Sequence, residues 1–490
     1  MVPKVDREYF RTVSQAAFCN PFSLDRQELY RRVIGRELPG DEILTAQLIR
    51  EVLAQRFQRL EAKHGPLTLK AFPAEANETM RIVFLFDIYH QLFEPLDKLV
   101  TDQIAAGDTP CQIDFADHAI GLMSKRGFTS AESLRFFAIF FQIRRAHHFI
   151  HRRLVGESAC MKEFRRRLWT NVFTHDIRNY ERLLCERMEE FSTLLLGETG
   201  TGKGAAAMAI GRSGFIPFQR RKGCFAESFT RAFVSLNLSE FQETLIESEL
   251  FGHRKGAFTG AVDSYDGVLA QCSQHGAVFL DEVGDVSIPI QIKLLQVLQE
   301  RSFAPVGSRE KRRFQGRVIA ATNKSIEKLR NDGLFRNDFY YRLCSDSISV
   351  PPLRTRIAED SNEMIRLVSH LVQRMTGEES PDLVASIHDA ILAGTGASYR
   401  WPGNVRELEQ AIRRVLLTNQ YSGECPPTPD LSADLRNSLE EGNLKAGELL
   451  DGYCRLLYQR LGSYEAVARQ TGLDRRTVKK HITNQEPDLP

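Results

Sequence analysis

The sequence predicts a multidomain fold in which an α/β domain built on a parallel sheet lies between helical regions. Between residues 192 and 350, short apolar runs alternate with helical patterns, as in a sheet covered by helices. Residues 1–150 instead repeat apolar side chains at three- and four-residue spacing, which indicates helices without strands. From residue 352 onward the helical spacing returns, so further helices follow the sheet.

The N-terminal segment, residues 1–150, is predicted to be a helical regulatory domain. Its clearest helix covers 41–65, DEILTAQLIREVLAQRFQRLEAKHG, and ends at Gly65-Pro66. The segment lacks the acidic pair, central Asp and late Lys of a phospho-receiver domain, and it does not show the alternation of strands and helices that such a domain has. Its position before the α/β domain favours a sensor or partner-binding domain, and the residues leave its signal open.

Four apolar runs predict the strands of the α/β domain, which we assign to residues 151–350. These runs are STLLL (192–196), AFVSLN (232–237), GAVFLDE (276–282) and GRVIAATN (316–323). The segment IQIKLLQVLQE (290–300) predicts a covering helix. The remaining segments are a helical region at 351–421, a linker at 422–443 that begins with the proline-rich SGECPPTPDLSADL, and a helical C-terminal domain at 444–490.

Composition narrows the class of protein. The 490 residues are 42% hydrophobic and 26% charged, which is ordinary for a globular protein of several domains. The net charge is only +2, so any nucleic-acid site must be a local basic patch. Nine cysteines without a C-x-x-C pair or a His/Cys cluster indicate reduced thiols and no zinc site. With no apolar signal segment and no run long enough to span a membrane, we expect a cytoplasmic protein.

A glycine-rich loop follows the first predicted strand and precedes a small-residue helix. In that context backbone N–H groups and the helix N-terminus bind phosphates, and Lys203 reaches the outer phosphates of a nucleotide. Gly204 stands where a hydroxyl residue normally contacts magnesium, so a glycine loop without nucleotide is the alternative. The candidate nucleotide-binding residues of the loop are Gly197, Glu198, Thr199, Gly200, Thr201, Gly202, Lys203 and Gly204.

An acidic pair, Asp281-Glu282, ends the third predicted strand. At the carboxyl edge of a parallel sheet, such a pair can hold hydrated magnesium and orient a water molecule for attack on a phosphate. Taken alone, the pair could equally cap a helix. Beside the phosphate loop we favour catalysis, with Asp281 as the Mg²⁺ residue, acting through water, and Glu282 polarising the attacking water. A nucleotide and Mg²⁺ are therefore expected at this site, and the nucleotide is ATP if the resemblance described below holds.

The stretch KGAFTGAV, residues 255–262, places Phe258 and Thr259 between Gly256 and Gly260. Paired glycines favour a sharp or mobile turn because they relieve backbone constraints. A phenylalanine in such a turn either folds back into the core of a hairpin or forms an exposed binding surface. The residues of this stretch alone leave both open.

The motifs together resemble the bacterial enhancer-binding proteins, the AAA+ ATPases that activate transcription by sigma-54 RNA polymerase. The resemblance covers about 152–420, and GAFTGA beside ESELFGH is its most specific part. The motifs, in the family's order, are LVGESACM (154–161), GETGTGKG (197–204), ESELFGHRKGAFTGA (247–261), GAVFLDEVGD (276–285), RVIAATN (317–323), FRNDFYYRL (335–343), VPPLRTR (350–356) and WPGNVREL (401–408).

The resemblance implies an AAA+ α/β subdomain at 151–350 with a helical lid at 351–421. It also implies roles at matching positions. Phe258 and Thr259 would tip a loop that touches the sigma factor when ATP is bound. Asn237 would hold the catalytic Glu282 idle until contacts change.

Five further residues match positions with known roles in the family. Thr322 and Asn323 match the polar sensor between nucleotide and sheet, and Arg406 matches a lid residue that reads the nucleotide in the same chain. Arg336 and Arg342 match arginine fingers donated to the neighbouring subunit, where a fixed cation stabilises the transferring charge. Fingers acting in trans imply a ring, commonly a hexamer. Each arginine alone could equally be a solvated charge or a structural ion pair.

The chain departs from the family's pattern at three places. Gly204 stands where the family often has Glu, and Gly276-Ala277 replaces the usual Gly-Thr before the acidic strand. The segment GFIPFQRRKGCFAESFTRAF (214–233) is longer than the usual connection and rich in Phe and Arg. We expect it to be a surface insertion.

The stretch SYEAVARQTGLDRRTVKKHI, residues 463–482, has the spacing of a helix-turn-helix, with Gly472 in the turn and Asp474 as a helix cap. Its second helix is basic and suited to phosphates and guanine edges in the major groove. A helical pair with a solvated charged face is the alternative. The apolar stripe of 449–461 could dimerise the module or form its core. The candidate DNA-binding residues are Arg475, Arg476, Thr477, Lys479 and Lys480.

The preferred hypothesis is a sigma-54-dependent transcriptional regulator that binds upstream double-stranded DNA. It would use ATP hydrolysis in a self-assembled ring to remodel the sigma-54 RNA polymerase holoenzyme to the open complex, with no membrane partner. A DNA-binding repressor with the same fold is one rival, and the intact GAFTGA and acidic pair argue against it. A polypeptide-threading unfoldase is another, and neither GAFTGA nor a terminal DNA-binding module is expected there.

Overall fold

The computed structural model describes residues 4–396, 399–421, 435, 439 and 445–483. The chain forms two compact units, 1–421 and 422–490. The predicted linker at 422–443 lies outside the described residues except for Leu435 and Leu439. Residues 444 and 484–490 of the predicted C-terminal domain also lie outside them.

The predicted helical N-terminal region is confirmed. Side-chain caps set the start of two of its helices: the Asp41 carboxylate accepts a hydrogen bond from Leu44 N at 2.8 Å, and Thr129 with Glu132 forms a capping box. A five-residue π-helix, His148–Arg152, extends the last helix. The helices are α1 (Lys4–Phe18), α2 (Leu24–Ile34), α3 (Glu42–His64), α4 (Ala74–Gln91), α5 (Phe93–Ala106), α6 (Ala116–Arg126) and α7 (Ser130–His147).

A five-stranded parallel sheet in the order β4-β5-β8-β1-β9 forms the centre of the next domain, as the alternating pattern predicted. The four predicted strands are present, and the edge strand β9 had not been predicted. Two short antiparallel pairs, β2-β3 and β6-β7, lie outside this sheet. The strands are β1 (Thr193–Leu196), β2 (Phe218–Gln219), β3 (Cys224–Phe225), β4 (Phe233–Asn237), β5 (Ala277–Asp281), β6 (Ser302–Phe303), β7 (Arg312–Arg313), β8 (Arg317–Thr322) and β9 (Asp346–Ser349).

Successive strand residues point to opposite faces of the sheet, and both faces are buried by apolar packing. Leu195 and Phe279 belong to a core that continues into the N-terminal helices, whereas Leu194 and Val278 belong to a second core on the other face. The helices of this domain are α8 (Ala159–Phe173), α9 (Ile177–Asn179), α10 (Lys203–Gly211), α11 (Glu243–Phe251), α12 (Val268–Gln271), α13 (Ile288–Glu300), α14 (Ile326–Asn331) and α15 (Asn337–Leu343).

Four helices with their own hydrophobic core form the lid that follows the sheet. A buried ion pair, Arg356 to Glu363 at 2.8 Å, lies at its start, and Glu363 also accepts the backbone N–H of Glu157 at 2.9 Å. This contact fastens the lid to the residues that enter α8. The helices are α16 (Leu353–Glu359), α17 (Glu363–Thr376), α18 (Pro381–Thr395) and α19 (Asn404–Thr418).

The expectation that 214–233 is a surface insertion is wrong. Four of its five phenylalanines are buried between the N-terminal helices and the sheet domain: Phe215, Phe218, Phe225 and Phe229. The Phe225 ring stacks on Phe141 of α7, with ring centroids 4.4 Å apart. The segment was misjudged because its arginines, which stay partly exposed, suggested a solvated loop. In the folded chain its aromatic side chains dock the N-terminal domain.

Two polar side chains of α7 reinforce this docking. The buried Arg145 guanidinium donates to the carbonyl oxygens of Arg212 at 3.1 Å and Gly214 at 2.8 Å, directly after α10. Gln142 donates to the carbonyl of Ser213 at 2.8 Å. Burial lowers the pKa of Arg145 to about 9. The N-terminal segment is therefore bonded to the C-terminal end of the helix that begins at the phosphate loop.

We expect Phe225→Ala to lower the free energy of unfolding by about 3 kcal/mol or more, because it removes a buried ring that stacks on α7. Thermal denaturation and limited proteolysis of the full chain measure the loss of stability and of docking. The exposed Lys222→Ala in the same hairpin is the matched control and should leave both unchanged. Equal melting temperatures for wild type and Phe225→Ala would show that the insertion contributes nothing to the docking.

In the C-terminal unit, the described residues 445–483 form three helices around a small core. Val467 and Val478 are fully buried, and Leu473 and Ile482 pack against them, at the apolar positions that the sequence predicted. Gly472 (φ +71°) makes the turn between the last two helices. None of the described helices has the length and apolar character needed to cross a membrane. The three helices are α20 (Ala446–Leu461), α21 (Tyr464–Thr471) and α22 (Arg475–Thr483).

Candidate nucleotide site and exposed loop

The glycine-rich loop connects the end of β1 to the start of α10. Gly200 (φ +78°) and Gly202 (φ +103°) adopt left-handed conformations that other residues rarely take. A Cβ atom at Gly200 would also overlap the carbonyl oxygen of Gly403 in the lid. Glycine is therefore required at Gly200 both by the turn and by the close approach of the lid.

Lys203, the first residue of α10, is only 6% exposed. Its Nζ donates to the carbonyl oxygens of Gly197 at 2.9 Å and Glu198 at 3.3 Å, and it lies 3.9 Å from the Glu282 carboxylate. The ammonium group is thus held at the mouth of the loop, beside the acidic pair. At Gly204 the nearest atom to an added Cβ is 3.9 Å away, so sterics do not explain the missing hydroxyl side chain.

The acidic pair lies at the carboxyl edge of the sheet. Asp281 ends β5, and one of its carboxylate oxygens accepts the backbone N–H of Glu282 at 3.1 Å. Burial raises the pKa of Asp281 above its ordinary value. Glu282 adopts φ +54°, a strained conformation for a residue with a side chain, and its carboxylate accepts the backbone N–H of Asn323 at 3.1 Å. The carboxylate therefore lies between the Asn323 N–H and Lys203.

Two predicted sensor residues end the neighbouring strand. Thr322 is the last residue of β8 and is fully buried, and its carbonyl oxygen accepts the Gly197 N–H at 3.3 Å. The Asn323 amide donates to the Thr199 hydroxyl at 2.9 Å. Asn323 therefore bridges the phosphate loop and Glu282, which the sequence could not show because the three residues are far apart along the chain.

The lid binds the phosphate loop directly through residues that the sequence analysis did not single out. Arg354 forms a two-point ion pair with Glu198 at 2.6 and 2.7 Å, and this pair lowers the pKa of Glu198. Asn404 donates to Glu198 and to the Thr199 carbonyl, both at 3.1 Å. Both residues lie in quoted motifs, VPPLRTR and WPGNVREL. Arg406, two residues after Asn404, is exposed, and its Cβ lies next to Gly200 of the phosphate loop.

Among the described residues no hydrogen bond joins the Asn237 side chain to Glu282, the residue that it is predicted to hold idle. It ends β4 directly opposite Asp281 in the sheet. Its side chain donates to Glu240 at 2.9 Å and accepts hydrogen bonds from Ser239. A capping turn at the end of the strand competes for the amide. Its regulatory role therefore stays a prediction.

The two candidate fingers differ in how they are held. Arg336 pairs with Asp338, two residues away, at 2.7 Å and is otherwise exposed to solvent. Arg342 donates to the carbonyl of Leu298 at 3.0 Å and to Glu190 at 3.3 Å. Neither side chain hydrogen-bonds to the phosphate loop of its own chain among the described residues, as a role in trans requires.

The KGAFTGAV stretch forms an exposed loop closed at its base. Phe258 is 39% exposed, and its ring packs edge-on against His253 with centroids 4.9 Å apart. Gly256 (φ +79°) and Gly260 (φ +100°) flank it in left-handed conformations, and Gly256 N–H donates to the Ala261 carbonyl at 2.9 Å. Thr259 is exposed at the tip. The structure thus excludes a core-buried phenylalanine.

The basic helix α22 presents Arg475, Arg476, Lys479 and Lys480 at the surface. Asp474 caps it, accepting the backbone N–H of Arg476 at 2.7 Å and the hydroxyl of Thr477 at 2.6 Å. The Asp474 bond turns Thr477 toward the cap. His481 bonds to Asp451 of α20 at 2.6 Å and so belongs to the packing of this unit.

The residues present fit a magnesium ion bound together with a nucleotide. The Asp281 carboxylate supplies an oxygen ligand, which magnesium prefers; it forms no ion pair among the described residues, although the charges of Lys203 and Arg406 act on it. Among the described residues no group of three His, Cys, Asp or Glu side chains could hold a metal ion. A site with one protein carboxylate suits magnesium that keeps several waters and binds phosphate oxygens.

A phosphate loop, an acidic pair at the sheet edge and a lid bonded to the loop define an AAA+ ATPase fold. Residues 172–349 match the sigma-54 interaction domain, and residues 359–447 match the AAA+ ATPase lid domain. Over these residues the chain therefore carries the sigma-54 interaction domain and the AAA+ lid domain of the bacterial enhancer-binding proteins, as the motifs predicted.

Three curated relatives illustrate the similarity. The transcriptional regulator NtrC of Rhizobium meliloti is 35% identical over 63% of this chain and 58% of its own length. The Sigma54-dependent transcriptional activator SfnR of Pseudomonas putida is 42% identical over 47% and 57%. The regulatory protein GlrR of Escherichia coli is 33% identical over 64% and 66%. The chain thus spans a little over half the length of the first of these relatives.

Among solved structures, NtrX from Brucella abortus in complex with ADP aligns over 76% of this chain and 80% of its own. The TM-score is 0.40 and the identity is 19%, values too low to bear on function.

Proposed function

We propose that this chain is an ATP-driven activator of sigma-54 RNA polymerase. It would bind double-stranded DNA upstream of a promoter through α22 and hydrolyse ATP in a ring of identical subunits in the cytoplasm. The single observation that carries the proposal is the exposed Phe258–Thr259 tip between left-handed glycines, on the same domain as the phosphate loop and the acidic pair. The exposed apolar side chains of this loop, Phe258 and Val262, offer a contact surface to a partner.

The chain's own residues supply most of the hydrolysis chemistry. Backbone N–H groups of the glycine loop and Lys203 bind the phosphates, and Asp281 would orient the waters of a magnesium ion that neutralises phosphate charge when bound. Glu282, held by the Asn323 N–H, accepts the hydrogen bond of the attacking water and aligns it with the outer phosphate. Arg336 and Arg342 of an adjacent subunit would stabilise the charge that develops in the transition state.

The lid contacts suggest how nucleotide state reaches the rest of the chain. Arg354 and Asn404 hold Glu198 and the loop backbone at once, so any movement of the loop on nucleotide exchange must move the lid or break these bonds. The loop is also tied to Glu282 through Asn323. The lid and the acidic pair are thus both bonded to the phosphate loop. A nucleotide bound at this loop could therefore shift the lid between two arrangements.

Open-complex formation by purified components tests the proposal. Sigma-54 holoenzyme on a promoter with an upstream site should melt the DNA when this protein and ATP are added, and not when a non-hydrolysable ATP analogue is substituted. Permanganate footprinting reports the melted bases. Absence of melting on promoters that a related activator opens in parallel would contradict the proposal.

We expect Arg336→Ala and Arg342→Ala each to reduce ATP turnover by about 10³-fold while preserving ATP binding, because a finger stabilises only the transition state. Mixing either variant with Lys203→Ala should partly restore turnover, since one subunit supplies the phosphate site and its neighbour the finger. Arg342→Ala should also lower the melting temperature, because Arg342 bonds to the Leu298 carbonyl, whereas Arg336→Ala should not. No rescue in rings shown to be mixed would argue against action in trans.

A further inference from the structure

A cavity of about 1490 Å³ opens in the N-terminal domain. Its walls come from α1, α2, α4 and α7 and from residues 166–182, which lead into the sheet domain. No residue of the phosphate loop lines it. The volume exceeds the 300–1,000 Å³ of ordinary small-molecule pockets, so a ligand would occupy one part of it.

One part of the wall is an array of ring side chains, here called the aromatic patch: Tyr30, Phe86, Tyr89 and His90. Ring centroids are 4.2 Å apart for Phe86 and His90, and 5.3 Å for Tyr89 and His90. Tyr30 meets Phe86 edge-on at 6.0 Å. Such an array favours a flat ring, which can stack on one member while meeting the edge of another.

Arg26 lies at the border of the aromatic patch. Its guanidinium donates to the Tyr30 hydroxyl at 2.6 Å and lies 4.7 Å from the centre of that ring. No carboxylate among the described residues forms an ion pair with it. By contrast, Arg81 and Arg144, on the same cavity, pair with Glu132 at 2.7 Å and Asp97 at 2.6 Å. Arg26 can therefore take an external anion without breaking an existing ion pair.

His90 supplies a second polar group to the same patch. It is only 3% exposed, and its Nδ1–H donates to the Phe86 carbonyl at 2.7 Å. Burial lowers the pKa of His90 to about 3, so the ring is neutral and its Nε2 can only accept a hydrogen bond. No described residue donates to Nε2. A ligand that bears a hydroxyl group would satisfy it.

We propose that this cavity binds a small aromatic carboxylate that also carries a hydroxyl group. The carboxylate binds Arg26, the ring packs on the aromatic patch, and the hydroxyl donates to His90 Nε2. The Tyr30 and His90 rings are in edge-on contact, with centroids 6.2 Å apart, and Arg26 bonds to the Tyr30 hydroxyl, so Arg26 and His90 belong to the same part of the cavity wall. A positive group and an accepting group beside one aromatic surface select for this class over neutral aromatics and over aliphatic acids.

The cavity also touches the sheet domain. Trp169 and Phe173 of α8 line it, with ring centroids 4.5 Å apart. In the same helix Asn171 donates to the Thr193 hydroxyl of β1 at 3.0 Å. A ligand that shifts α8 would therefore also shift β1, the strand that leads to the phosphate loop. This regulatory consequence rests on the proposed function, whereas binding itself does not.

Calorimetry on the full chain, without nucleotide, tests the proposal with 2-, 3- and 4-hydroxybenzoate. At least one should bind, and benzoate, phenol and cyclohexanecarboxylate, which lack the hydroxyl, the carboxylate and the flat ring, should each bind at least tenfold more weakly than it. Quenching of tryptophan fluorescence should accompany binding and vanish in Trp169→Phe, because Trp169 lines the cavity.

Substitutions then locate the site. Arg26→Gln, at a partly exposed position, should weaken binding at least tenfold, and the exposed Arg32→Gln on the same helix should leave it unchanged. No binding of any hydroxybenzoate at millimolar concentration would overturn the proposal. So would equal binding of phenol or cyclohexanecarboxylate, or unchanged binding in Arg26→Gln. Because calorimetry needs no ATP or polymerase, these failures would leave the proposed function standing.

Discussion

Replacing Glu282 by glutamine is expected to reduce ATP turnover by about 10²- to 10⁴-fold, the range that a positioned general base contributes, while ATP still binds. Glutamine keeps the size of the side chain and can still accept the Asn323 N–H, so the loop geometry should persist. It cannot accept the proton of the attacking water. Turnover by phosphate release and affinity by equilibrium binding of a fluorescent ATP analogue separate the two effects.

Two variants frame this result. Lys203→Ala removes the ammonium group from the mouth of the loop and should abolish ATP binding itself, so the two active-site changes fail at different steps. Glu327→Gln changes an exposed carboxylate on α14 and should match wild type in both measurements. Turnover at the wild-type rate in Glu282→Gln would remove Glu282 from the mechanism and leave the acidic pair as a helix cap.

Thr259→Ala is expected to reduce the yield of open complexes by about 100-fold or more, while ATP turnover stays within about twofold of wild type. The reason is that Thr259 is exposed at the tip of a loop closed at its base by the bridge between His253 and Tyr265. No described hydrogen bond joins the tip to the phosphate loop, so the substitution should not reach the hydrolysis chemistry. Contact residues at the centre of an interface carry most of its binding energy.

The measurement is permanganate footprinting with purified sigma-54 holoenzyme, run beside a phosphate-release assay on the same protein. Val262→Ala is the matched control, because Val262 is exposed in the same loop but lies outside its tip. Wild-type promoter melting by Thr259→Ala would refute the contact role. A loss of melting with an equal loss of turnover would instead place Thr259 in the ATPase cycle.

The docking of the N-terminal domain joins it directly to the helix that follows the phosphate loop. Arg145 bonds to the carbonyl oxygens that follow α10, and α10 begins at Lys203. The helix that begins at the phosphate loop is thus fastened at its far end to the N-terminal domain. Displacement of α7 would release three buried hydrogen bonds and expose the phenylalanines of 214–233, so we expect movement at this interface to occur in one step rather than gradually.

Short motifs determined much of the candidate site without the structure. The phosphate loop, the acidic pair and the polar sensor each lie within a few consecutive residues, and backbone geometry places them at the end of a parallel strand whatever packs around them. The same holds for the parallel sheet, where the alternation of apolar runs and helices permits few other arrangements. Glycines at 256 and 260 likewise predicted a turn. They did not predict whether its phenylalanine would be buried in the core or exposed to solvent.

Only the tertiary structure decided which partners the polar and aromatic side chains chose. Glu198 pairs with Arg354, 156 residues away, and Asn237 turns to Glu240 instead of Glu282. Four of the phenylalanines of 214–233 are buried because α7 covers them, which no local pattern could show. These outcomes depend on contacts between distant segments, where several partners of similar chemistry compete and packing selects one. Residue types and their spacing along the chain determined which chemical groups form the candidate site. The tertiary structure determined which distant residues those groups bond to.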